Sequence, residues 1–219
     1  MSAIDQSLLT ARVYAHLRER IVNKSFPAGA RLAEETISAE LEVSRTPVRE
    51  ALHRLTQEGF VVYTPRRGCR VKLLSRREVK EIFELRSILE PLALREAWPR
   101  ISPADIARLG DRLAELDRIS AGRRSQAALA ADDDLHNLFC QGCSNRYLRE
   151  CLRRLIQLSR PYRSFGASAP AHLRQLHRQR QQILAALRAG RNELAGHLLQ
   201  RHIRAGQQAI LTRMQGYAN

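Results

Sequence analysis

The ten residues Val43-Ser44-Arg45-Thr46-Pro47-Val48-Arg49-Glu50-Ala51-Leu52 constrain this chain more than any other stretch. Ser44 suits a helix N-cap, where its hydroxyl accepts an early backbone N–H. Pro47 falls in the first turn, where a missing N–H costs nothing. Val48, Leu52 and Leu55 then recur at helical spacing, and Gly59 stands where a helix ends on a left-handed residue. Phe60-Val61-Val62-Tyr63 is β-branched and aromatic, Pro65-Arg66-Arg67-Gly68 is a turn, and Cys69 to Leu73 alternates as a return strand. Two strands around a basic turn, directly after a capped helix, predict a wing. Upstream, Leu9, Val13, Leu17 and Ile21 predict a helix over 8–24, ended by Phe26-Pro27-Ala28-Gly29. A short helix is expected from about Glu34 to Leu41, with Ile37, Ala39 and Leu41 available for burial.

A helix, a turn, a second helix and a β-wing form a DNA-docking geometry. Arg45, Thr46 and Arg49 fall in the first turns of the second helix, the end that enters a major groove. A guanidinium there can fork onto guanine O6 and N7 or onto phosphate. The free N–H groups of the helix start suit a phosphate. Arg66 and Arg67 flank Gly68 at the wing tip, and arginines suit a narrow minor groove. Val43 to Lys72 holds seven Lys/Arg against two Asp/Glu, so this surface is locally basic. The competing reading is a winged helix used for protein contacts alone.

Total charge is a weaker guide. The net charge is +15, with a pI near 11.0. Residues 1–74 carry 12 Lys/Arg and 8 Asp/Glu, leaving +11 of the excess to the rest of the chain. The excess fits a polyanion partner, or a chain that writes Arg on its solvated faces. No apolar run approaches the roughly 18 residues needed to span a bilayer. Met1-Ser2-Ala3-Ile4-Asp5 lacks a signal-peptide layout, so a cytoplasmic chain without membrane partners is expected, with its four cysteines as thiols.

Leu, Ala and Arg dominate, aromatics make up only 5%, and the pattern beyond Ser75 is helical almost to the end. Helices are expected near 75–98, 103–119, 125–141, 145–163, 170–189 and 191–214, with Pro91 kinking the first. The predicted fold is therefore mainly α. A winged helix-turn-helix over 8–74 precedes an all-α helical bundle over 75–219.

The segment RLAEETISAELEVSRTPVREALHRLTQEGFVVYTPRRGCRV resembles the DNA-binding domain of the GntR family of bacterial repressors, over about residues 10–74. The resemblance implies that Arg45, Thr46 and Arg49 contact double-stranded operator DNA, with Arg31 on the backbone. It also implies that the wing tip Arg66, Arg67 and Gly68 enters the minor groove. Ser44 and Pro47 belong to the same DNA-facing segment. The family wing usually reads Asn-Arg-Gly, so Arg66 adds a charge.

Asp132 and His136 stand four apart on one helix face and can share a divalent metal, with His202 completing the set. The ordinary alternative makes Asp132 and Asp133 helix N-terminal dipole partners and His136 a satisfied polar residue. Here IFELRSILEPLALREA, DDDLHNLFCQGCSNRYL and RQQILAALRAGRNELAGHLLQRHI resemble the FCD-type helical domain of the FadR branch, in its shorter six-helix form. The resemblance implies a homodimer, a small carboxylate effector, and one divalent metal such as Zn or Ni held by one aspartate and three histidines. Carried over by position, the ligands are Asp132, His136 and His202.

Arg180 stands where the remaining histidine belongs, and arginine cannot ligate a metal. Either three ligands suffice and Arg180 grips the effector, or the Arg180 cation replaces the metal charge and pairs with Asp132. His177, one turn earlier, is a poorer substitute. The resemblance also places Arg86 near the pocket, where it forks onto an effector carboxylate; the alternative is a surface ion pair with Glu90. Cys140-x-x-Cys143 lacks the second pair that a zinc or redox site needs.

The expected function is a ligand-responsive, sequence-specific transcription regulator, a repressor rather than an enzyme. The alternatives are a metal-dependent enzyme on the Asp/His cluster and a protein that binds nucleic acid without sequence preference.

Overall fold

The computed structural model describes residues 3–118, 121–166 and 170–215. The chain divides into two compact units, Met1–Leu74 and Ser75–Asn219. The fold is a winged helix-turn-helix followed by an all-α bundle.

In the first unit, α1 (Ala3–Val22) starts five residues before the expected point, since nothing in Ala3 to Ser7 breaks a helix. Its stripe of Val13, Leu17 and Ile21 is buried against Val48, Ala51, Leu52 and Leu55 of α3 (Arg45–Gln57). Tyr14 hydroxyl donates to Glu58 at 2.6 Å and Thr10 to Glu50 at 2.8 Å, tying the two helices at both ends. The short α2 (Glu34–Glu40) buries Ile37, whereas Ala39 is exposed and Leu41 half-buried.

Ser44 occupies the N-cap position of α3, but its side chain makes no capping bond. The reason is local. An N-cap oxygen accepts from the second or third helical residue, and the third here is Pro47, which has no N–H. Helix α3 ends as its sequence predicts. Gly59 takes a φ of 82°, its N–H donates to Thr56 carbonyl, and Phe60 N–H reaches back to Leu55 carbonyl. These are the two reverse bonds of a glycine-terminated helix.

Strands β2 (Val61–Thr64) and β3 (Gly68–Val71) pair antiparallel, Val61 facing Val71 and Thr64 facing Gly68. A further strand, β1 (Arg31–Leu32), pairs with the other edge of β3, giving the order β1-β3-β2. Two residues are too few to show a strand period, so β1 is absent from the sequence-based expectation. At the wing tip Arg67 N–H donates to Thr64 carbonyl at 3.0 Å. This closes a turn with Pro65 first and Arg66 second of its central pair. In a type II turn the second place takes a positive φ, and Arg66 sits at 64°.

The second unit is built from α4 (Arg76–Ala97), α5 (Pro103–Arg118), α6 (Ala121–Gly142), α7 (Arg146–Gly166), α8 (Pro170–Arg188) and α9 (Asn192–Gln215), with a 3-10 turn at Trp98–Arg100. Ser75 and Glu78 form a reciprocal capping box that starts α4. The helix is continuous through Pro91. Asn145 caps α7 by accepting from Tyr147 and Leu148 N–H, both at 3.1 Å. Helix α4 packs against α9, α6 and α7, and α8 against α9 and α5. Cys140 and Cys143 are buried free thiols packed with Ala93, Leu148, Leu152 and Ile156. Burial pushes Cys140 up to about 11, which makes it a packing residue rather than a nucleophile. No described helix is long and apolar enough to cross a membrane.

Candidate functional site

Each unit carries its own group of arginines. The first lies on the winged unit. Arg45 and Arg49 keep 61% and 69% of their side chains exposed. Both lean on the start of α2. Arg45 Nη1 is 3.2 Å from Glu35, and Arg49 forks onto Glu34 with its shortest distance at 3.1 Å. Thr46, Ser44, Arg31, Arg66 and Arg67 are also exposed, and Gly68 is half-buried in the wing. Pro47 differs from the expectation, because it is buried. It shapes the helix start and offers no surface to a ligand.

The second group is buried under α4, α6, α7, α8 and α9. Asp132 is its centre. Its Oδ1 accepts from His202 Nε2 at 2.9 Å and lies 3.2 Å from Arg180 Nε. Its Oδ2 accepts from Arg163 Nη1 at 2.8 Å and lies 3.6 Å from His136 Nε2. Arg163 also holds Asp133 through Nη2, and Arg160 donates to the other oxygen of Asp133 at 2.5 Å. Around the rim, Arg86 Nε donates to Glu90 at 2.6 Å and Arg86 Nη1 to Ser159 at 2.9 Å. The second Glu90 oxygen meets His136 Nδ1. The rings of His136 and His202 stack with centroids 5.7 Å apart.

The structure thus brings Arg86, Asp132, His136, Arg180 and His202 into one cluster. Two sequence alternatives fall. The Arg86–Glu90 pair exists but is buried, not on the surface. Asp132 and Asp133 lie mid-helix, since α6 starts at Ala121, so they are not N-terminal dipole partners. His177 points elsewhere, to Asp117 at 3.1 Å.

Glu90, Asp133, Ser159, Arg163 and His172 escaped the sequence reading as parts of this site. A signal was present for two of them. Ser159 and Arg163 continue the buried spacing of Leu148, Leu152, Leu155 and Ile156 along α7, so they put polar groups on an apolar stripe.

The electrostatics follow from burial and pairing. Burial alone would raise Glu90, yet Arg86 and His136 beside it bring it down to about 2. Burial likewise raises Asp132, and His136, His202 and Arg180 reverse this and hold it well below the carboxylate range. Burial pulls both central guanidiniums down. For Arg163 the carboxylates of Asp132 and Asp133 win and its pKa rises; for Arg180 burial wins, with Arg163 opposing its charge. His202 is lowered by burial, which favours the neutral ring. His202 Nδ1 lies 3.2 Å from the side-chain carbonyl oxygen of Gln179.

Asp132, His136 and His202 each offer one ligand atom, all within 4.8 Å of one another. As arranged, they do not fit a divalent ion. Both Asp132 oxygens already face a guanidinium, Arg180 on Oδ1 and Arg163 on Oδ2, so the carboxylate has no free oxygen for a cation.

Exposed arginines on a winged helix-turn-helix and a buried polar pocket in a helical bundle define a two-part regulator architecture. The chain belongs to the GntR family of bacterial regulatory proteins, in the group that carries an FCD domain. The family model for "Bacterial regulatory proteins, gntR family" matches residues 9–71, and that for the FCD domain matches residues 81–205. The chain is 41% identical over 118 residues to the Nta operon transcriptional regulator of Aminobacter aminovorans, covering 52% of this chain and 54% of that protein. It thus matches little more than half the length of that relative. It is 27% identical over 203 residues to the transcriptional repressor RspR of Escherichia coli K12, covering 91% of this chain and 87% of the repressor. A crystal structure of a GntR regulator from Rhodococcus sp. RHA1 superposes with a TM-score of 0.78 at 27% identity, covering 93% of this chain and 97% of that one.

Proposed function

We infer that this chain is a ligand-responsive, sequence-specific DNA-binding transcription regulator, acting as a repressor and sensing a small organic acid. One observation carries the reading: Arg45 and Arg49 stand exposed on the first turns of α3, with Arg66 and Arg67 exposed at the wing tip. Exposed guanidiniums at a helix start and on a wing are the groups that read base edges and track phosphates. In this reading residues 8–74 bind operator DNA through Arg31, Ser44, Arg45, Thr46, Arg49, Arg66, Arg67 and Gly68. Residues 75–219 take the effector at Arg86, Asp132, His136, Arg180 and His202. Leu85 and Ile88, exposed on α4, supply apolar area for joining two copies. A two-fold dimer favours a near-palindromic operator. The working compartment is the cytoplasm, and no catalytic role is assigned.

The test is selection from a random duplex library with the full chain, followed by titration of the enriched sequence. The expected outcome is a palindromic site that Arg49→Ala binds about 10- to 100-fold more weakly, the worth of one good base contact. The circular dichroism of that variant stays unchanged. An unenriched library would leave only charge-driven binding, and normal affinity of the variant would remove α3 from the interface.

A further inference from the structure

The cluster around Asp132 answers a question that the Asp/His spacing left open. Glu90, Asp132 and Asp133 face three buried guanidiniums, Arg86, Arg163 and Arg180, while half-exposed Arg160 adds a fourth cation at Asp133. Four guanidiniums against three carboxylates tip the set positive before any imidazole is counted. A divalent ion would add two more positive charges to a buried site with no carboxylate to spare, at a high desolvation cost. A monoanion would bring the same set to balance.

The space beside the cluster agrees in size. A cavity of about 30 Å³ is bounded by Arg86, Asp132, His136, Arg163, His172 and His202, and by apolar residues of α4, α8 and α9. That is on the order of two water-sized spheres, room for a carboxylate head. Donors remain to receive it. Arg163 Nε and His172 Nε2, on two residues lining the cavity, are buried without a hydrogen-bond acceptor, and so is Nη1 of Arg180 behind Asp132. Burial holds His172 in its neutral form more firmly than usual, so its ring can donate without adding charge.

We propose that Arg180 is the built-in cation of this pocket. Its Nε lies 3.2 Å from the Asp132 oxygen that a divalent ion would need, and the anionic group of the effector is received by guanidinium and imidazole N–H groups with no metal between. The second half rests on the reading of the helical unit as an effector domain; the first half does not.

The metal alone is the first probe. Full-length protein is stripped with EDTA, dialysed against Zn²⁺ or Ni²⁺, and assayed for bound metal by plasma emission. The native chain is expected to retain far less than one ion and to keep its Tm. Arg180→His is expected to retain about one ion per chain and to gain roughly 5 °C or more in Tm with metal. His202→Ala in that background should abolish both effects. If Arg180→His folds poorly, Arg180→Gln removes the charge and keeps a polar end, and metal should raise its Tm but not that of the native chain. One ion per native chain, lost on His202→Ala, would overturn the proposal. So would a failure of metal to bind or stabilise either Arg180 variant.

The second probe is acetate or inorganic phosphate, titrated in EDTA. A rise in native Tm that Arg180→Gln reduces supports direct anion capture. Absence of any anion response, together with the expected metal contrast, removes the effector reading and leaves the built-in cation standing.

Discussion

The two units use arginine in opposite ways. On the winged unit the guanidiniums of Arg45 and Arg49 are exposed, and each is held by a single carboxylate of α2 that water can replace. In the helical unit Arg86, Arg163 and Arg180 are buried, and carboxylates there have few other partners. Exposed pairs contribute little to stability because solvent screens them. Buried pairs contribute little net, yet breaking one strands a charge at a cost of about 3–5 kcal/mol. The first group is thus open to a ligand as large as a duplex, while the second is shut away from anything large. Among the described residues, no charged side chain of the winged unit is buried.

That contrast can be broken most forcefully at Asp132. Asp132→Ala leaves Arg163 and Arg180 without their shared partner and should destabilise the helical unit by about 3–5 kcal/mol. Trp98 is the one tryptophan and lies in this unit, so its fluorescence reports the loss. Hydrogen exchange of α3 and the wing should be unaffected. Equal loosening of both units would erase the distinction.

Acid gives the next largest effect. Glu90 and Asp132 have folded values below their unfolded ones, and so has His202. In each case the unfolded chain binds the extra proton, so stability falls as pH falls. The His202 contribution fades below about 6.5, its ordinary value. The carboxylate contribution is present above about 4.5 and is lost as pH drops toward about 2. The Glu90 part is on the order of 3 kcal/mol at neutral pH. Trp98 fluorescence for the helical unit and amide exchange of β2 and β3 for the wing, followed in urea from pH 7 to pH 3, should show the helical unit failing before the wing. A wing that melts first would contradict this.

Arg66 sharpens the comparison from the other side. It is a branched-free but bulky residue held at a φ of 64°, which asparagine tolerates better. Arg66→Asn should stabilise the wing by about 1 kcal/mol, read as slower amide exchange in β2 and β3. The same change should weaken DNA binding and lower its salt slope by about one. Stabilisation without that loss would mean that the strain serves no contact.

The smallest effect belongs to Glu34→Gln. It releases Arg49 from its carboxylate, so Tm should stay constant while affinity for the selected DNA rises. A fall in affinity would instead make Glu34 a positioning residue for Arg49.

Much of this was local and therefore legible along the chain. The α3 start, its glycine end, the basic wing turn and the four-residue step from Asp132 to His136 each follow from neighbouring residues, because helix and turn geometry repeat over short distances. Some local inferences still failed. Ser44 has the right residue type for a cap, but Pro47 removes the donor; Pro47 reads as part of a DNA face, but its ring is buried. The site itself was half visible. Its aspartate, its two histidines and Arg180 could be named, while Glu90 passed as half of a surface pair and Arg163 passed unnoticed.

What the amino-acid order determined alone is the kind of parts present: a capped reading helix, a wing, and helices with polar residues on their inner faces. What only the tertiary structure decided is which charges meet. Asp132 reaches His202 across 70 positions and Arg163 across 31. Such pairings depend on how five helices pack, and burial then turns an ordinary ion pair into a fixed one, because water is no longer there to take either partner's place.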